Sequence, residues 1–72
     1  MTTPVTAPIT GIVWKILVSV GDSITPEQPI IVLESMKMEV TIGASRAGRV
    51  REVRCIEGRP VNAGETLVVL EG

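Results

Sequence analysis

There is no histidine in these 72 residues, and a single tryptophan, Trp14, is the only aromatic side chain. Without imidazole no Ser-His or Cys-His nucleophile can be assembled, and the ordinary proton shuttle near neutral pH is missing. Cys55 stands alone, so an internal disulfide is excluded, and no Cys/His pair offers metal-ligand spacing. Packing alone must hold the fold, which suits the reducing cytoplasm. No charge field exists either: seven basic and eight acidic residues leave a net charge of −1. With neither a basic patch nor an aromatic platform, nucleic acid is not an expected partner. No apolar run approaches the roughly 20 residues of a membrane span. Met1-Thr2-Thr3-Pro4-Val5 has neither the charged nor the apolar region of a secretion signal. A chain so equipped is expected to be non-catalytic, and it reads better as something enzymes act upon.

What is present is order at two scales. Ala7–Glu34 laid on Ala44–Glu71 with a shift of 37 aligns without a gap: Ala7 meets Ala44, Gly11 meets Gly48, Val13 meets Val50, and Gly21 meets Gly58. Val32-Leu33-Glu34 then meets Val69-Leu70-Glu71. Stacked repeat arrays need about three or more units. Two copies, 7–34 and 44–71, instead predict a single domain over 1–72 built as a closed pair of halves related by a pseudo-two-fold.

Strands are predicted near Val5–Ala7, Ile12–Val18, Ile30–Ser35, Met38–Ile42, Arg49–Cys55 and Thr66–Leu70, with very short ones at Ser23-Ile24 and Pro60-Val61. β-Branched residues dominate, and Gly or Pro interrupts every stretch long enough to wind into a helix. The class is therefore all-β, a sandwich or barrel. In Arg49–Cys55 the charges leave only Val50, Val53 and Cys55 for the core, an odd step that strict alternation forbids. A bulge around Arg51-Glu52 would restore the phase. Trp14 aligns with Arg51 and is expected to face outward over the rim. Val32, Leu33, Val69 and Leu70 are expected to join the halves in the core.

Between the copies lies Glu34-Ser35-Met36-Lys37-Met38-Glu39, a hairpin at 35–38 with Lys37 near its tip. A two-residue turn favours Gly, Asn or Asp, which tolerate positive φ, and neither Met36 nor Lys37 suits it. Local rules broken in this way point to function. Met36 and Met38 cannot both be core at a tip, so they are read as a recognition surface. Lys37 is presented to a modifying enzyme, whereas Lys15, the other lysine, lies inside a strand beside Trp14.

Met36-Lys37-Met38 in this frame resembles the attachment motif of biotin carboxyl carrier domains, in the biotinyl/lipoyl attachment family. Ala7-Pro8-Ile9-Thr10-Gly11, Val20-Gly21-Asp22 and Glu57-Gly58-Arg59-Pro60-Val61 match its flanking turns, so the resemblance runs from about Ala7 to Glu71. It implies a flattened β-barrel of two four-stranded antiparallel sheets, with the hairpin at one end and both termini at the other. It further implies covalent biotin on Lys37, recognition by a ligase through Met36 and Met38, and a flanking motif of Glu34, Ser35 and Glu39. The implied partners are biotin protein ligase, biotin carboxylase and carboxyltransferase. The chain would be a monomeric carrier of a biotin-dependent carboxylase of the acetyl-CoA or acyl-CoA type, its swinging arm shuttling carboxyl groups between active sites.

Two rivals remain open. Lipoyl acyl carriers share the fold but carry Asp-Lys-Ala, where Met36 and Met38 stand here. An unmodified β-barrel adaptor would bind through an edge strand and leave Lys37 free. The sequence departs from the family at Ile9, usually Met, at Ser35, often Ala, and at Ser45 and Ala47. No thumb is inserted before the hairpin, which is closer to the pyruvate and acyl-CoA enzymes and to small free-standing attachment proteins.

Overall fold

A computed structural model describes residues 1–72 as eight strands and no helix. In order these are β1 (Thr2–Thr6), β2 (Gly11–Ile16), β3 (Ser23–Ile24), β4 (Pro29–Ser35), β5 (Met38–Gly43), β6 (Gly48–Val53), β7 (Pro60–Val61) and β8 (Thr66–Glu71). They form two four-stranded antiparallel sheets, β1-β8-β6-β3 and β5-β4-β2-β7. Between the sheets lies one core cluster of aliphatic side chains, with Val13, Ile30, Ile31, Leu33, Val50, Leu67, Val68 and Leu70 fully enclosed. No polar side chain is buried.

The same backbone bonds recur at positions 37 apart, with the halves exchanged. Gly21 N–H donates to Val50 C=O at 2.8 Å, and Gly58 N–H donates to Val13 C=O at 2.7 Å. Glu27 N–H reaches Ala44 C=O at 2.8 Å, and Gly64 N–H reaches Ala7 C=O at the same distance. Gly11 and Gly48 share a further constraint. A Cβ on Gly11 would stand 2.7 Å from the Glu34 carbonyl oxygen, and one on Gly48 would stand 2.9 Å from that of Glu71. Any side chain there would push apart strands that are meant to pair.

The bulges fall at the equivalent places Trp14 and Arg51, where the pairing shifts between Val13 and Lys15 and between Val50 and Glu52. This lets Val13 and Val50 reach the core while the bulged residue stays outside. Three expectations need correction. The first strand is Thr2–Thr6 rather than Val5–Ala7; it is an edge strand, where Pro4 withholds no needed donor. β2 and β6 end at Ile16 and Val53, short of Val18 and Cys55, although both of those residues are buried. Val32 and Val69 lie outside the main cluster. An irregularity after Pro29 turns both Ile30 and Ile31 inward with Leu33; Val32 is buried, as expected, but outside that cluster, and Val69 is half-buried. The Cys55 thiol is buried, and desolvation, the largest influence, pushes its pKa up.

Departures from the repeat are informative. Gly64 takes φ +89° with open space where a Cβ would stand, while its counterpart Glu27 holds φ +64° without being glycine. The penalty for an L-residue there is about 1–2 kcal/mol. Gly64→Ala should therefore destabilise by about 1 kcal/mol, while Glu27→Gly should be neutral or stabilising by a few tenths. Urea midpoints at unchanged slope measure both; a loss in both would show that Glu27 is not strained.

The chain ends meet. Thr2 pairs with Glu71, and Gly72 N–H donates to the Met1 carbonyl at 3.1 Å.

Candidate functional site

β4 and β5 are the longest-paired neighbours on their sheet, and they close through only two residues. Ser35 pairs with Met38 and Glu34 with Glu39, leaving Met36-Lys37 as the whole turn. Both turn residues take positive φ, 46° and 71°. This is the left-handed signature of a tight hairpin, favoured because its twist matches the flanking strands. Asn-Gly would adopt it without strain. The protein instead holds two side-chain-bearing residues there, one of them the lysine.

The tip projects into solvent. Met36 is 93 % exposed and Met38 is 61 % exposed, Lys37 between them is exposed too, and none of the three side chains makes a hydrogen bond or ion pair within the chain. Two thioether side chains held in water are apolar contact area awaiting a partner, since methionine adapts readily to varied surfaces. The two concavities of the molecule lie elsewhere. One of about 400 Å³ is at the chain ends, against Met1, Arg49, Glu71 and Gly72, and one of about 280 Å³ is beside Arg54, Cys55 and Arg59. The hairpin end is therefore convex. It can offer a group to another protein's pocket, but it encloses no ligand itself.

Behind the tip, Ser35 is half-buried; its Cβ lies 3.4 Å from the place a Gly11 Cβ would take. Glu34 and Glu39 are both exposed and directly opposed. Like charges so placed are destabilising. Sequence reading treated them as flanking charges and missed their opposition, although a two-residue turn at 36–37 forces it. Leu33, fully enclosed, anchors β4 four residues before Lys37. Lys15, by contrast, lies on β2, its Nζ 5.5 Å from the Trp14 ring centroid.

The chain has recognisable relatives. A family model described as "Biotin-requiring enzyme" matches residues 1–70. The biotin/lipoyl attachment protein of Bacillus subtilis is 46 % identical over 66 residues, covering 92 % of this chain and 90 % of that protein. The biotin carboxyl carrier protein of Streptococcus mutans is 44 % identical over 64 residues, covering 89 % of this chain; the chain spans only about half of that relative, 49 %. Among solved structures, the urea carboxylase of Kluyveromyces lactis superposes with a TM-score of 0.91 at 30 % identity, over 97 % of this chain and 6 % of that one.

Proposed function

Because the chain belongs to the biotin/lipoyl attachment family, whose model covers residues 1–70, we propose that it is a biotin carboxyl carrier, biotinylated on the Nζ of Lys37. The observation that carries this reading is the tip itself: a lysine in a strained two-residue turn, between two methionines held in water. A turn under no functional demand would relax to Asn-Gly. Identity of 44 % to a biotin carboxyl carrier protein supports the same reading.

Attachment forms one amide bond. The nitrogen attacks as the neutral amine: the Nζ lone pair adds to the activated carboxyl carbon of biotin, the bond to the activating group breaks, and one of the two amine protons leaves as the neutral secondary amide forms. No side chain of this protein is placed to take that proton, so the ligase must do so. The carrier contributes position: β4 and β5 hold the amine clear of the barrel, and Met36 and Met38 identify it. Biotin, once attached, supplies the ureido nitrogen that accepts and releases a carboxyl group.

Tethering then replaces diffusion between a biotin carboxylase and a carboxyltransferase with an effective concentration in the millimolar range for short flexible links. Loss of the Lys37 charge takes the protein from its net charge of −1 to −2. The parent enzyme is read as a carboxylase of the acetyl-CoA or acyl-CoA type; the uninterrupted path from β4 into the hairpin, with no inserted thumb, favours the acyl-CoA side of that reading. The lone reduced Cys55 suits a cytoplasmic setting.

Expression beside a biotin protein ligase should add one biotinyl mass to the intact chain, mapped by peptide sequencing to Lys37 and not Lys15. A lipoyl ligase should leave the mass unchanged. Lipoylation without biotinylation would overturn the reading in favour of an acyl carrier, and an unmodified chain would leave a plain interaction module.

A further inference from the structure

The two sheets are built alike but present opposite chemistry to solvent. Across β5-β4-β2, just behind the hairpin, runs the outer row Glu39, Glu34, Ile12. The positions 37 away on the other sheet read Thr2, Glu71, Arg49. One row further from the tip stand Val32 and the bulged Trp14, whose counterparts are Val69 and Arg51. Ile12 and Trp14 are each 46 % exposed. So where the far sheet carries Arg49 and Arg51, the sheet that bears Lys37 carries isoleucine and tryptophan.

The charges differ in the same sense. Glu71 has Arg49 on one side and an uncharged threonine on the other, whereas Glu34 has Ile12 on one side and a second glutamate on the other. The one ion pair in the protein, Arg54 with Glu52, is on the far sheet. Nothing in this chain neutralises the Glu34–Glu39 pair. Two exposed apolar side chains beside two uncompensated carboxylates fit a partner surface that is apolar at its centre and basic where it meets the carboxylates; the one cation beside them, Lys15, lies on the side away from the tip, against Trp14.

We propose that Ile12 and Trp14, with Glu34 and Glu39 as their acidic border, form the docking strip for the biotin protein ligase. This inference rests on the reading of Lys37 as the biotinylated residue. Reach selects the ligase among the enzymes that meet the tip. The row Glu39-Glu34-Ile12 is two or three residues behind Lys37, about 7–10 Å at the strand rise. Before modification the amine extends beyond the turn by no more than its own side chain. An active site that closes on it must therefore lie against this row. Later partners meet a longer arm and need not approach so near. Tryptophan is also the residue type most often found to dominate a binding surface.

Initial-rate biotinylation of the intact chain by its ligase tests the strip. Ile12→Arg with Trp14→Arg gives the attachment sheet the far sheet's chemistry. It should lower kcat/KM about tenfold or more, chiefly through KM, as lost uniform binding requires. Arg49→Ala with Arg51→Ala, the matched change on the far sheet, should leave the rate as it was. Should the double arginine variant fail to fold, Ile12→Lys alone should raise KM several-fold. Added salt should also raise the wild-type KM by screening the carboxylates. An unchanged KM in a folded strip variant, or an equal loss in the Arg49/Arg51 control, overturns the proposal. So does wild-type self-association in sedimentation that the strip substitutions abolish, because the occupant is then a second copy. Failure of the underlying reading looks different: no biotin on Lys37 of the wild-type protein at all.

Discussion

Replacing the hairpin turn by Asn-Gly, through Met36→Asn with Lys37→Gly, should abolish biotin uptake and at the same time make the domain more stable. Two residues now hold φ +46° and +71°. For side-chain-bearing residues the left-handed region costs about 1–2 kcal/mol each, less for asparagine and almost nothing for glycine. Neither Met36 nor Lys37 offsets this, since both are exposed and neither side chain is bonded within the chain. The double variant should gain about 1–2 kcal/mol in urea melts. Met36→Asn alone should gain a smaller part and take up biotin more slowly. Intact mass should show no biotin on the double variant under conditions that label the wild type completely. An unmoved midpoint would mean the turn is not strained; label appearing on Lys15 would mean the acceptor was misassigned. Stability and function are set against each other at two positions.

Leu33→Ala and Leu70→Ala should each remove about 2–5 kcal/mol. Both side chains are fully enclosed, both sit one residue before a glutamate whose carbonyl packs on a glycine, and they are 37 positions apart. A domain of this size has on the order of 5 kcal/mol or slightly more to lose, so each variant should stand near the edge of folding. The two losses should be similar. Their effects on biotinylation should not be, because only Leu33 lies on the strand that feeds the hairpin. Measured at low temperature where both variants are folded, uptake should slow more for Leu33→Ala. A near-neutral melt for either would place that side chain in solvent and shift its strand by one residue.

Most of the sheet framework was readable from the residues because few alternatives were compatible with them. β-Branched runs broken by glycine left no room for helix, and the odd step from Val50 to Val53 required a bulge near Arg51, where it lies. The hairpin was marked in the residues because Met36-Lys37 broke the turn preferences; the structure places both at positive φ. Other features depend on contacts that one segment cannot reveal. β1 begins at Thr2 because β8 is there to pair with it, and no local pattern in Thr2-Thr3-Pro4 announces a strand. Val32 and Val69 resemble their neighbours in composition and fall outside the core cluster only through two separate irregularities, in the β4–β5 and β1–β8 pairings, beside Ile31 and Val68. The strain at Glu27 could not be read from glutamate itself, though glycine at the matching position 64 was a signal. The opposition of Ile12 to Arg49 was present in the alignment of the halves, but it acquires meaning only once both are known to face outward.

The meeting of the chain ends has one more consequence. A shift of 37 carries Met38 onto Met1 and sets Ser35 beside the position of Gly72, so the break between the ends corresponds to the attachment turn on the opposite pole. The backbone is in effect a ring that has been cut where a two-residue link would close it. Entry and exit lie about one strand spacing apart, near 4.8 Å. A host protein could therefore carry this domain spliced into the tip of one of its own hairpins, with neither junction stretched and the lysine facing away from the host.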